Sequence, residues 1–326
     1  MQKPIFKDIE AAANRLNGIA VRTPILESQA INDIIGGRLL VKAEPLQRTG
    51  SFKFRGAYNK ICQLSKAERK RGVVAYSSGN HAQGVSAAAN LLGAPAIIVM
   101  PEDAPQVKLD GTRRWGADIV TYDRSDHDAR NVIAGQIAEE KGMTIIPPFD
   151  DPEIMAGQGT TGMELISQCK EAGADPDAVI TPVGGGGLMS GVATAVKHLS
   201  PETELFTAEP EGFDDTARSL ASGQRQNMLP DAKSICDALL APCPGELAFS
   251  VMADLVYGGL VVSDDEVRNA MTCAFNHLKL VIEPGGAVGL AAVLNGKYDS
   301  NGKTIVVVAS GGNVDGAQYA KIVGRS

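Results

Sequence analysis

The sequence predicts an α/β protein of two open parallel-sheet domains, the smaller inserted in the larger, and three observations predict it. Short apolar runs of strand length recur at residues 71–76, 96–100, 118–122, 143–146, 178–182, 204–208 and 304–309. Continuous runs of this kind are how strands buried on both faces read, and such strands belong to parallel sheets. Helix-like segments at 81–92, 105–115, 126–141 and 188–198 alternate with them, which places helices on the sheet faces. Polar, glycine-bearing turns follow several of the runs, at the carboxyl ends of strands where open α/β sheets bind ligands.

A chain of 326 residues is long enough for a large core and two domains. A Pro/Asp cluster at 147–153 and a charged stretch at 64–71 mark two crossings between them. They predict a large domain of residues 1–65 plus 153–326 and a small one of 66–152. With 44% hydrophobic and 21% charged residues, the composition is that of a globular protein. The net charge of −7, with acids and bases interspersed, argues against nucleic acid or anionic membrane as a partner. Apolar stretches are too short to span a bilayer, and residues 1–10 carry no apolar signal region. Cys62, Cys169, Cys236, Cys243 and Cys273 are odd in number and form no CxxC pair. Reduced thiols in a cytoplasmic protein are the reading that follows.

Four segments carry chemistry. In the first, Gly184, Gly185, Gly186 and Gly187 stand between a strand and a helix beginning near Leu188. Backbone N–H groups of such a loop converge at a helix N-terminus and bind phosphate. No Gly-Lys-Ser/Thr follows, so the loop is not a Walker A motif. Glu209, some twenty residues on, keeps a dinucleotide as a rival ligand. In the second, Lys53 lies between Phe52 and Phe54 after a Thr-Gly-Ser turn. An apolar flank desolvates an ammonium and lowers its pKa, as a Schiff-base lysine requires; a surface lysine at a helix start is the plainer alternative. The third runs through Ser77, Ser78, Asn80 and His81 in a strand-to-helix turn. The fourth is a buried strand entering Ser310, two glycines and Asn313.

Together these segments resemble the serine/threonine dehydratase and serine racemase family of pyridoxal phosphate (PLP) enzymes, of the tryptophan-synthase-β-like fold type. The similarity runs from about Ile5 to Val323 and rests on SFKFRGA, SSGNHAQG, AGQGT, GGGGL and SGGNVD in the family's order. The resemblance implies that Lys53 forms the internal aldimine and moves protons at Cα. It implies that Phe52 packs on the cofactor ring, Asn80 bonds the ring hydroxyl, and Gly184 to Gly187 with Leu188 cradle the phosphate. Ser310 would meet the pyridine nitrogen and leave it unprotonated, which suits β-elimination over transamination. Ser77, Ser78 and His81 belong to the turn that would hold the substrate α-carboxylate.

The leading activity so implied is an L-threonine/L-serine ammonia-lyase, which removes water and then ammonia to leave a 2-oxo acid. Arg130 aligns with an arginine near the racemase substrate pocket and favours a carboxylate side chain, hence a 3-hydroxyaspartate dehydratase; a surface arginine is the alternative. Ser78 stands where racemases carry their second base, so a serine racemase with dehydratase activity is a third reading. In the racemase-like branch Glu209, the Phe213 carbonyl and Asp215 would bind Mg²⁺, or Ca²⁺ or Mn²⁺. Two departures stand out: Ala238 replaces a common glycine beside the cofactor, and Pro147 to Asp150 is dehydratase-like. The chain ends shortly after SGGNVD, which leaves no room for a C-terminal regulatory domain. A nucleotide-binding module without catalysis would leave the Lys53 and Ser310 segments unexplained. By analogy with relatives the protein is a homodimer or homotetramer acting on a small amino acid.

Overall fold

The computed structural model describes residues 2–77, 79–104, 106–123 and 129–324. Among these, the strands in chain order are β1 (Ile25–Glu27), β2 (Arg38–Ala43), β3 (Val73–Tyr76), β4 (Ala96–Pro101), β5 (Asp118–Tyr122), β6 (Thr144–Ile145), β7 (Ala178–Pro182), β8 (Glu204–Pro210), β9 (Gly258–Val262) and β10 (Thr304–Ala309). The helices of the first half are α1 (Phe6–Leu16), α2 (Gln29–Ile35), α3 (Lys53–Cys62), α4 (Lys66–Arg71), α5 (Asn80–Leu91), α6 (Gln106–Arg114) and α7 (Ala129–Lys141). Those of the second are α8 (Pro152–Glu171), α9 (Gly187–Leu199), α10 (Asp215–Ser222), α11 (Glu246–Leu255), α12 (Asp264–Cys273), α13 (Pro284–Leu294) and α14 (Gly316–Val323).

The strands form two sheets, ordered β1-β2-β10-β7-β8-β9 and β5-β4-β3-β6. The smaller sheet, with strands from residues 73–145 only, is an insertion between strands of the larger one. Its pairs are all parallel. In the larger sheet the pairs are parallel except β1 with β2, which is antiparallel. That exception departs from the all-parallel expectation. A three-residue edge strand with one polar end carries too little pattern to announce its direction.

Fully buried apolar side chains make the centre of each sheet. Val306 of β10 pairs with Leu40 of β2 on one side and Val179 of β7 on the other, and all three are sealed from water. Helix α13 is buried from Pro284 to Val293 and apolar all round, as a helix enclosed on every side must be. β2 is a strand that the apolar runs do not single out, because Arg38 and Lys42 interrupt it. Lys42 is tolerated at 0% exposure because its ammonium donates to Glu164, Gln168 and the Thr23 carbonyl.

Helix α3 carries Lys53 at its first residue, so what fixes α3 fixes the site. Its apolar face (Phe54, Ala57, Ile61) packs into the core of the small sheet. Its other side lies against α8, where a Cβ on Gly157 would come within 2.6 Å of the Gly56 Cα. Any side chain at 157 would push α3 away, and this close approach is the physical use of the first glycine in AGQGT; the second, Gly159, lets Ile9 of α1 and Gly191 of α9 come close. Arg55, on the same helix and fully buried, donates to Glu44 at 2.9 Å and to Glu164 of α8 at 2.7 Å. Lys42, Arg55, Glu44 and Glu164 form an electroneutral set, the condition under which buried charge is tolerated.

Candidate active site

The turns that leave β3, β7 and β10 line one cavity of about 490 Å³. Lys53 reaches it from the start of α3. The turn before that helix is stitched to the end of β10: Ser51 bridges Gly311, and the Phe52 N–H donates to the Ser310 carbonyl at 3.1 Å. The Lys53 ammonium donates to the Pro148 carbonyl at 2.7 Å and lies 5.1 Å from the centre of the Phe52 ring. Loss of hydration pushes its pKa down to about 8, so a useful fraction is free amine at neutral pH.

The glycine loop leaves β7 and heads α9. Gly186, its N-cap, has φ of +93°, a left-handed conformation that favours glycine. A Cβ on Gly185 would run into the Phe149 ring, and one on Gly187 would lie 2.9 Å from Phe149 backbone. The loop is therefore bare backbone at the head of a helix whose first N–H groups lack intrahelical partners. Gly184 to Leu188 all line the cavity, with Phe52, Lys53, Asn80 and Ser310.

The turn after β3 adds Ser77, whose Oγ accepts from the Gly79 N–H at 3.1 Å, and Asn80 and His81 at the start of α5. Ser78 lies outside the described residues. Arg130, near the start of α7, lines the cavity from the small domain with its guanidinium 5.8 Å from the Tyr76 ring centre. The structure thus gathers in one cleft every described PLP-site and substrate-site residue expected from the sequence.

A family model described as "Pyridoxal-phosphate dependent enzyme" matches residues 17–311. The chain belongs to this family of PLP-dependent enzymes. It is 43% identical to an L-threo-3-hydroxyaspartate ammonia-lyase of a Pseudomonas species, over 99% of both chains. Among solved structures, maize serine racemase superposes with a TM-score of 0.93 at 37% identity, covering 98% of this chain and 97% of that one. A T.th. threonine deaminase superposes with a TM-score of 0.90 at 43% identity, covering 96% of this chain and 99% of that one.

The cleft fits the family's cofactor. A side chain at any of positions 185–187 would collide with Phe149 or, at 186, with Met252. The glycines therefore keep open a backbone cradle suited to phosphate. The amine for a PLP carbonyl faces the same space, and Ser310 is part of its wall. His81 takes a narrower part than its neighbours. Its Nε2 lies 2.9 Å from the Ile146 carbonyl, which can only accept, so Nε2 carries the proton. Burial, reinforced by the Lys53 charge, pushes the imidazole pKa down to about 3. A neutral ring whose free nitrogen is an acceptor cannot donate to a carboxylate; the backbone N–H of His81 is the group left for that.

The three residues expected to hold a cation lie away from the cavity lining. Glu209, at the end of β8, is fully buried and accepts from the N–H groups of Thr216 (2.9 Å) and Ala217 (2.7 Å). Asp215 begins α10, and its Oδ2 is buried with no hydrogen-bond partner. Burial and then the Asp215 charge push Glu209 up to about 8. Asp215 is pushed up to about 7, chiefly by burial. Among the described residues no three His, Cys, Asp or Glu side chains form a metal-binding group. Glu209 and Asp215 lie close enough for the Asp215 charge to raise Glu209, and the orphaned Asp215 Oδ2 is an oxygen that a hard divalent cation could use.

Further residues complete the site, and of these Lys108, Asp237 and Glu283 escape sequence reasoning. Pro148, Phe149 and Asp150 make the crossing from the small domain and touch three parts of the cleft. They meet Lys53 through the Pro148 carbonyl, the glycine loop through the Phe149 ring, and α11 through Asp150. Asp150 caps that helix, accepting from Glu246 N–H at 3.0 Å and Ala248 N–H at 2.9 Å. Lys108 of the small domain is ion-paired with Asp237 of the large one on the cavity wall. Ala238, which replaces a common glycine, also lines the cavity. Glu283 is a fully buried acid bonded to Asn80. The available signal was a lone acid directly before the wholly apolar helix α13.

Proposed function

We propose that this protein is a PLP-dependent ammonia-lyase that converts threo-3-hydroxyaspartate to ammonia and a 2-oxo dicarboxylic acid. The observation that carries the choice of substrate is Arg130 on the wall of the cavity that holds Lys53. A guanidinium there pairs with a second substrate carboxylate in a charge-assisted, bidentate geometry. The L-threo-3-hydroxyaspartate ammonia-lyase that shares 43% of its residues supports the same substrate.

When bound, the cofactor supplies the electron sink that makes the Cα proton acidic. The chain does the rest. The glycine loop and the α9 N-terminus would hold the phosphate, with Ser310 for the ring nitrogen and Asn80 for the ring oxygen. Ser77 and the N–H groups at the start of α5 hold the α-carboxylate. Lys53, with its lowered pKa, would take the proton from Cα, the β-hydroxyl would leave as water with a proton drawn from solvent, and hydrolysis of the resulting enamine would release ammonia and the 2-oxo acid. Glu209, Asp215 and the Phe213 carbonyl would hold Mg²⁺ or a similar cation away from the reacting atoms. This is a structural role for the cation rather than a chemical one.

The test is Arg130→Ala, assayed by 2-oxo acid release. Loss of a charge-assisted hydrogen bond is worth about 1.5–3 kcal/mol. kcat/KM for the dicarboxylic substrate should therefore fall roughly 10- to 150-fold, while that for L-threonine changes little. Equal losses on both substrates would remove Arg130 from the substrate site. An L-threonine/L-serine ammonia-lyase is the second reading, favoured by the apolar surface that Phe149 and Leu240 add to the cavity and by the resemblance to the threonine deaminase. It predicts threonine as the better substrate of the unaltered enzyme.

A further inference from the structure

We propose that Glu283 is a positioning residue that fixes the amide of Asn80 toward the ring oxygen of the cofactor. The inference rests on the reading of this cleft as the PLP site. Its basis is a chain of hydrogen bonds whose direction is settled at one end. The Thr49 carbonyl can only accept, and Asn313 Nδ2 lies 2.8 Å from it, so that atom of Asn313 is the donor. The same nitrogen lies 2.8 Å from Asn80 Oδ1, which must therefore be the acceptor. This turns Asn80 Nδ2 toward Glu283 Oε1, at 2.5 Å. One N–H of Asn80 goes to Glu283, and the second is left for the cavity that Asn80 lines.

Glu283 suits this task because it has no competing partner. It is 1% exposed, and its Oε2 is buried without a hydrogen-bond partner. Burial pushes its pKa up to about 7. Whether or not it is protonated, Oε1 accepts from Asn80, so any proton resides on Oε2. The carboxyl is pinned from behind: the Glu283 N–H donates to the Gly311 carbonyl at 3.0 Å, and a Cβ on Gly311 would collide with Glu283 Oε1 and lie 3.2 Å from Asn80 Nδ2. The segment that carries Ser310 thus also locks the Glu283–Asn80 pair. Two contacts to the cofactor ring, from Ser310 and Asn80, share one support.

The experiment uses the PLP-loaded protein and reads the visible absorption band and the PLP dissociation constant, with 2-oxo acid release as a secondary measure. Asn80→Ala establishes the baseline: a shifted band and weaker PLP binding. Glu283→Gln keeps an acceptor oxygen for Asn80 and should bind PLP within about 2-fold of the parent. Glu283→Asp keeps the charge but withdraws it by one methylene. It should shift the band as Asn80→Ala does and weaken PLP binding at least about 5-fold, the low end for an oriented buried hydrogen bond. Combining Glu283→Asp with Asn80→Ala should add nothing further, since Glu283 acts through Asn80. A normal band and affinity in Glu283→Asp, with Asn80→Ala perturbed, would overturn the role of Glu283. Additive effects in the double variant would do the same. An unperturbed Asn80→Ala would instead remove Asn80 from the cofactor site. Glu283→Gln and Glu283→Asp preserve polarity and near-native volume, so the comparison stands even where Glu283→Ala fails to fold.

Discussion

Lys53 offers the sharpest quantitative test of how the cleft prepares its amine. With a pKa of about 8, about one lysine in eleven is neutral at pH 7, against about one in 2,500 for an ordinary lysine of pKa 10.4. The predicted gain in free amine is roughly 230-fold. The assay is trace labelling of the PLP-free protein with an amine-specific reagent between pH 6 and 10, followed by mass spectrometry of the Lys53 peptide, with an exposed lysine of the same digest as reference. The Lys53 rate should climb about tenfold from pH 6 to 7 and be level above pH 9. Desolvation is the cause of the shift, so Phe52→Ala, which admits water beside the ammonium, should move the bend upward. A rate still climbing tenfold from pH 9 to 10 in the parent protein would refute the argument that burial activates this lysine.

Two further outcomes are expected. Glu44→Gln leaves Arg55 buried with one of its two carboxylates lost; urea unfolding should show a loss of about 3–5 kcal/mol with an unchanged m-value, and a loss under about 1 kcal/mol would mean that Glu164 alone suffices. Millimolar Mg²⁺ or Ca²⁺ should raise the melting temperature by several degrees, since saturating a site a hundredfold above its Kd adds about 2.7 kcal/mol. Chelation should reverse the rise and Asp215→Asn abolish it, while identical melting with and without cation would leave Glu209 and Asp215 as a buried acid pair only.

The parts legible in the sequence are those whose physics is local. β5, β7 and β10 have the limits of their apolar runs, because nothing charged interrupts them. The glycine loop is legible because bare backbone has a visible composition. Lys53 is legible through its aromatic flanks, although the carbonyl its ammonium donates to, that of Pro148, arrives from 95 residues away. β2 is hidden because Lys42 reads as a surface residue until its partners, 122 and 126 residues distant, are known. Glu283 is hidden for the same reason: its bond to Asn80 spans 203 residues. Pairing across such separations leaves no periodicity to read, and only the motifs that resemble a known family give it away.

The four charges of the ion-pair set behind α3, three of them buried, have a consequence for how the sequence can vary through descent. Because Lys42, Arg55 and Glu44, sealed from water, are balanced by one another and by the partly exposed Glu164, a change at one strands a charge on the others. Neutral drift at these positions is closed to single steps. Lineages would either keep the set intact or exchange its members in coordinated pairs, for instance an apolar replacement of Lys42 accompanied by loss of one acid. The helix that presents Lys53 is therefore held by residues whose histories are tied together, though none of the four touches the reacting atoms.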